Sequence, residues 1–113
     1  MQYLNKIQLR GIVGRIDISR VAEKEHVSFS LLTERAYTAA DGNHVVEVLW
    51  TQVSCFPGPR SEDALTIRKG DAVEVTGRLR ARRYTDADGI DRFTWDIVAG
   101  EVKLLAEDHL LPE

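Results

Sequence analysis

Six aromatic residues and five arginines are the side chains with chemistry to offer. Tyr37 precedes a turn. Trp50 and Phe56 stand six apart in an apolar-rich segment. Tyr84, Phe93 and Trp95 flank a second turn, with Arg78, Arg80, Arg82, Arg83 and Arg92 interleaved among them. Aromatic rings offer flat faces on which unpaired bases stack, at about 1–3 kcal/mol per base. Guanidinium groups stack as well and hydrogen-bond phosphate. Cations alone would attract any polyanion in a salt-sensitive way, and rings alone would make a hydrophobic patch. Together they favour a single strand, whose base faces are free, over a duplex, whose faces are hidden. The plainer account of the arginines is a solvated strand face paired with Glu74, Asp86 and Asp96.

Catalytic chemistry is poorly provided for. His26, His44 and His109 are scattered, and no Cys/His spacing suits zinc. Cys55 has the parity of a core residue and reads as a small buried hydrophobe. Asp86, Asp88 and Asp91 with Gly89 resemble a calcium loop only faintly, because the glycine is misplaced and no glutamate closes the set. There is no glycine-rich phosphate loop. The expectation is a non-enzymatic protein without metal or cofactor.

Strands must position these groups. The first half of Val73–Trp95 alternates: Val73, Val75, Leu79 and Ala81 share one parity with Gly77, while Glu74, Thr76, Arg78, Arg80 and Arg82 share the other. Successive strand residues point to opposite faces, so three arginines line one side. The run turns at Asp86-Ala87-Asp88-Gly89 and returns as a last strand, Arg92 to about Leu105. Upstream, Ile7–Ile18 reads as a strand bent by Gly11 and Gly14. Ser19–Glu25 reads as a polar loop. Val27–Thr33 is a second strand, with Val27, Phe29 and Leu31 inward, leading to a turn at Asp41-Gly42-Asn43. In the third strand, Val45–Phe56, Thr51, Val53 and Cys55 form one row and Trp50, Gln52, Ser54 and Phe56 the other. Either Trp50 and Phe56 lie on the wet face, or they cap the two ends of a core. After Pro57-Gly58-Pro59, Ser61–Ile67 reads as a short helix capped by Ser61 and ended by Gly70. Three strands, one helix and two strands is the element order of the OB-fold, an all-β, five-stranded Greek-key barrel with one short helix between strands 3 and 4. A small sandwich or an SH3-like barrel would not explain the placed helix.

The 113 residues suit one domain, read as residues 1–106 with a short acidic tail at 107–113. The net charge of −3 argues against indiscriminate polyanion binding but allows a local basic patch. Eleven of the 15 bases are arginine, the side chain suited to stacking and to phosphate. A lone cysteine and no evident signal peptide point to a reducing, cytoplasmic setting. No apolar run approaches the roughly 18–20 residues of a membrane helix.

Several motifs in order resemble the bacterial single-stranded DNA-binding (SSB) proteins. They are Asn5-Lys6-Ile7-Gln8-Leu9-Arg10-Gly11, Trp50 with Phe56, and Arg68-Lys69-Gly70-Asp71 followed by Val73, Val75, Gly77, Leu79 and Arg82. Tyr84-Thr85-Asp86, Gly89 and Asp91-Arg92-Phe93 complete the set. The resemblance implies a homotetrameric OB-fold, or a dimer in a shortened member, that binds single-stranded DNA with little sequence preference in replication, repair or recombination. It implies stacking on Trp50, Phe56, Tyr84 and Tyr37, and phosphate contacts from Arg80, Arg82 and Arg83. Arg78 and Arg92 join these as further cations. Tyr stands where the family has Trp at two stacking positions, so weaker affinity is expected. The family's long linker and acidic-hydrophobic tip have no counterpart, so no tail-mediated recruitment of enzymes is expected. The alternative is a primosome-type accessory or protein-interaction OB-fold with weak nucleic-acid binding.

Overall fold

The apolar rows close on one another into a ring. The computed structural model describes residues 1–105, so the acidic tail expected at 107–113 lies outside the described residues. Strand β1 (Ile7–Val21) pairs antiparallel with β2 (Lys24–Thr38) and with β4 (Ala72–Thr85). Strand β2 pairs with β3 (His44–Cys55), and β4 with β5 (Asp91–Leu104), again antiparallel. A short parallel seam, Val53 to Ile97 and Ser54 to Val98, joins β3 to β5 and closes the barrel in the order β1-β2-β3-β5-β4. This is the all-β OB-fold expected from the element order.

Each strand contributes its inward row. Val27, Phe29 and Leu31 are buried as expected, and so are Val53, Cys55, Val73 and Val75. Burial pushes the Cys55 thiol above its ordinary value, and a hydrogen bond with Ser61 works against that shift. The glycines of β1 act through close approach. A β-carbon on Gly11 would lie 2.1 Å from the Leu32 carbonyl oxygen. One on Gly14 would lie 2.6 Å from both the Ser30 hydroxyl and the Trp50 ring. The β1–β2 register shifts between Val13 and Ile16, so β1 bulges where it passes Trp50.

Two local expectations are corrected. Ser19–Glu25 is not a loop. Both strands continue through it, pairing Ser19 with His26, Arg20 with Glu25 and Val21 with Lys24, and only Ala22 and Glu23 turn. The segment is polar because both of its faces are wet, and the Arg20–Glu25 pair sets opposite charges side by side. Both turn residues take positive φ, 52° and 67°, the geometry of a tight hairpin, without the glycine that usually supplies it. The second correction concerns Ser61–Ile67, which holds a single 3-10 turn, Glu62–Leu65, and no longer helix. Ser61 does not cap it. Its hydroxyl accepts the Gly58 backbone N–H at 2.8 Å, bracing the Pro57–Pro59 bend instead.

The β2–β3 and β4–β5 hairpins share one construction. Each turns through five residues, 39–43 and 86–90, with a positive-φ glycine fourth, Gly42 or Gly89. In each, an aspartate side chain accepts backbone N–H groups: Asp41 from Asn43, and Asp86 from Asp88 and Ile90. The Asp86 carboxyl is held below its ordinary range, first by the Arg92 guanidinium and then by the Ile90 N–H.

Candidate nucleic-acid interface

Register decides which of the expected residues share a surface. Directly opposed residues in a sheet point to the same face. On β3 the outer row is Trp50, Gln52 and Ser54, with Phe56 continuing it just past the strand. The seam sets Ser54 beside Val98 of β5. Val98 opposes Arg78, Asp96 opposes Arg80, Thr94 opposes Arg82, and Arg92 opposes Tyr84. One continuous outer face across β3, β5 and β4 therefore carries Trp50, Phe56, Tyr84, Arg78, Arg80, Arg82 and Arg92. Tyr37 and Arg83 point to the other side. Tyr37 opposes Val45 and carries the Arg35 guanidinium over its ring at 4.8 Å. Arg83 opposes Phe93, and Ala81 opposes Trp95. Phe93 and Trp95 thus extend the inward row of the β4–β5 hairpin into solvent.

The three aromatics of the outer face are open to a ligand: Trp50 is 56% exposed, Phe56 50% and Tyr84 51%. This settles the open question about β3, since both large rings lie on the wet side. Ser54 on the same face is nevertheless buried. Six residues of strand separate Trp50 from Phe56 by roughly 20 Å. Gln52 lies between them and donates to Ser28.

Trp50 rests across the β1 bulge. The missing side chain of Gly14 leaves room for its ring, and the Ser30 hydroxyl accepts the Arg15 N–H at 2.8 Å where the ladder shifts. Beside the ring lies an open groove of about 670 Å³, walled by Gly14, Ile16 and Ser30 and rimmed by Arg15 and Lys69. Lys69 is not among the cations expected from the sequence. Loop 68–71 reaches the spot by pairing with β1, Gly70 N–H to the Val13 carbonyl at 2.7 Å. No spacing pattern in the sequence announces that contact.

The arginines are less free than their alternation suggests. Arg80 makes two hydrogen bonds to Asp96, at 3.0 and 2.6 Å, and Arg82 approaches the same carboxylate at 3.8 Å. The Asp96 side chain is only 5% exposed. Its hydrogen bond holds the Arg80 guanidinium further above its already high value. Arg92 pairs with Asp86 at 2.8 Å, and Arg83 pairs with Asp91. Glu74 pairs with Arg10 of β1 rather than with a hairpin arginine. Among the described residues, Arg78 alone of the five has no carboxylate partner. The solvated, paired face considered for these arginines is therefore realised in part. Around the β4–β5 hairpin, cations on this face outnumber their carboxylate partners: Arg78, Arg80, Arg82 and Arg92 against Asp86 and Asp96.

Residues 4–105 match the model of the single-strand binding protein family. The chain is 32% identical over 104 residues to a single-stranded DNA-binding protein of Neisseria meningitidis, an alignment covering 90% of this chain and 60% of that protein. It is 32% identical to single-stranded DNA-binding protein 1 of Xylella fastidiosa, covering 95% of this chain and 81% of that one. Among solved structures, a Plasmodium falciparum SSB complex with ssDNA superposes with a TM-score of 0.84 at 22% identity, covering 94% of this chain and 98% of that one. A small single-stranded DNA-binding protein from Streptomyces coelicolor gives 0.66, also at 22% identity, covering 88% and 92%. The structures agree on the fold, and the family match runs almost from end to end of the described residues. The chain belongs to the single-strand binding protein family.

Proposed function

We propose that this protein binds single-stranded DNA without catalysis and with little sequence preference. Bases stack on Trp50, Phe56 and Tyr84, and phosphates meet Arg78, Arg80, Arg82 and Arg92. The observation that carries this reading is the single outer face on which the register assembles exposed rings and a surplus of arginines. Family membership supports the choice of ligand. Tyr37 and Arg83, on the opposite side, would contribute only where a strand wraps around a hairpin edge. The working form is a homo-oligomer, a tetramer or else a dimer, serving replication, repair or recombination in the cytoplasm.

Fluorescence quenching by a mixed-sequence oligonucleotide tests the reading, because Trp50 lies on the proposed face and Trp95 does not. Trp95→Phe should leave most of the quenching intact. Trp50→Ala and Tyr84→Ala should each weaken binding by about 1–3 kcal/mol. Unchanged affinity in both would remove stacking from the mechanism. The carboxylate partners of Arg80 and Arg92 favour a second reading, a protein-interaction OB-fold with weak nucleic-acid affinity. Absence of binding to a long single strand at about 50 mM salt, where phosphate contacts are strongest, would select it. Light scattering with and without oligonucleotide reports the assembly state.

A further inference from the structure

One outer-face side chain outside the stacking scheme packs directly against a ring within it. His26 of β2 opposes Ser19 of β1 and lies in the row of Lys24 and Ser28. Its imidazole packs against Phe56, with ring centroids 4.8 Å apart and planes tilted by 54°. Its Nε2 shares a 2.6 Å hydrogen bond with the Ser54 hydroxyl. Ser54 is buried at the seam between β3 and β5, so this edge of the imidazole is anchored. Nδ1 makes no hydrogen bond among the described residues. Phe56 itself follows the last residue of β3 and leads into Pro57-Gly58-Pro59, so the imidazole is its lateral support.

We infer that His26 and Phe56 act as one nucleotide-binding element. Phe56 stacks a base, and the imidazolium of His26, its Nε2 held by Ser54, turns Nδ1–H toward the adjoining phosphate. Single-strand affinity therefore rises as the pH falls. The inference rests on the outer face being the strand-binding surface. Histidine is the side chain whose charge ordinarily changes between about pH 5 and 8, and an added cation facing a phosphate adds a salt-sensitive contact. The charged groups around the imidazole are few. On its own face are Asp17 of β1, 3.5 Å from Arg15, and Lys24 of β2. Glu25 borders the hollow beside Phe56, together with Lys24, Pro57 and Leu65. From β3 it meets Ser54 and Phe56, neither of them charged. Carboxylates and lysine ammonium groups ordinarily keep their charge between about pH 5.5 and 8.

Oligothymidylate, whose bases do not titrate in this range, is the probe. Its affinity for the intact protein is measured against salt at about pH 8 and about pH 5.5 by fluorescence quenching. The expected result is severalfold tighter binding at the lower pH, with a log–log salt slope steeper by up to about 0.7, the share of one further cation on a single strand. His26→Gln, which can keep a hydrogen bond to Ser54 but carries no charge, should lose the pH response. His44→Gln should keep it. His26→Ala should reduce quenching at both pH values, and His26→Phe, which restores a ring without charge, should recover the quenching and not the pH response. A pH response in His26→Gln equal to that of the unmodified protein overturns the inference. So does an unmodified protein whose slope is the same at both pH values. If the unmodified protein binds at neither pH, the outer-face reading itself fails and this inference falls with it.

Discussion

Replacing Asp96 by asparagine should make the protein a less stable but stronger binder. Asp96 is almost enclosed, and it neutralises Arg80 through two hydrogen bonds and Arg82 at 3.8 Å. Hydrogen bonds to a charged group contribute about 1.5–3 kcal/mol. Arg80 is more than a third exposed, which weakens the pair, and asparagine keeps one acceptor. A loss of roughly 1–2 kcal/mol follows, or about 4–10 °C in Tm for a domain near this size. The outer face meanwhile gains one positive charge. On a single strand each extra phosphate contact steepens the log–log salt slope by about 0.7, so a fourfold drop in salt should enlarge the variant's advantage about 2.5-fold. Thermal melting followed by quenching titrations at two salt concentrations measures both quantities on one sample. A variant that melts lower but binds with unchanged affinity and slope would show that Arg80 and Arg82 do not meet phosphate, and the outer-face assignment of these cations would fail.

Gly14→Ala and Gly77→Ala should separate site from scaffold. A β-carbon on Gly77 would meet the Val98 carbonyl oxygen at 2.1 Å, a backbone contact that cannot yield, so melting should fall by far more than in Gly14→Ala. Gly14→Ala should instead displace the half-exposed Trp50 ring, seen as a shifted emission maximum and weakened quenching. At the first hairpin, Ala22→Asn with Glu23→Gly relieves two positive-φ residues and should raise stability by about 1–2 kcal/mol, read by denaturant melts. Asp86 has a carboxyl held below its ordinary value, so its contribution is full above the ordinary carboxylate range near pH 4 and is lost as pH falls from there. Asp86→Asn should therefore loosen the 86–90 turn at neutral pH and leave it little changed in strong acid, by hydrogen exchange at Ile90.

The barrel is legible in the sequence because its inward rows alternate cleanly. Val27-Phe29-Leu31 and Val73-Val75 declare their buried faces by parity alone, and element order supplies the rest. What stays hidden depends on partners distant in sequence. Ser19–Glu25 looks like a loop because its charges serve two wet faces, and no local signal marks Ala22-Glu23 as a turn that lacks glycine. Ser61 has the residue type of a helix cap, but its hydroxyl is claimed by the Gly58 N–H. The candidate site shows the same division. The parity of Arg78, Arg80 and Arg82 is readable, whereas the parallel seam joins residues more than forty positions apart. The seam lays Tyr84 on one surface with Trp50 and leaves Trp95 on the other. His26 against Phe56 is invisible until β2 and β3 are in register.

The seam also governs when the surface comes into being. β1, β2 and β3 form a meander, and β4 and β5 a hairpin, each assembled from neighbours in the chain. Beyond the β1–β4 ladder, the ring is completed by two residue pairs, Val53 with Ile97 and Ser54 with Val98. Contacts between segments far apart in sequence carry a larger entropic cost to close and form late. Trp50 and Phe56 lie on one side of that clasp, the arginines and Tyr84 on the other, so the proposed strand-binding face is whole only while the clasp is shut. A ligand spanning both sides would act as a suture across the narrowest join in the barrel, so folding and occupancy would reinforce each other at the same two residue pairs.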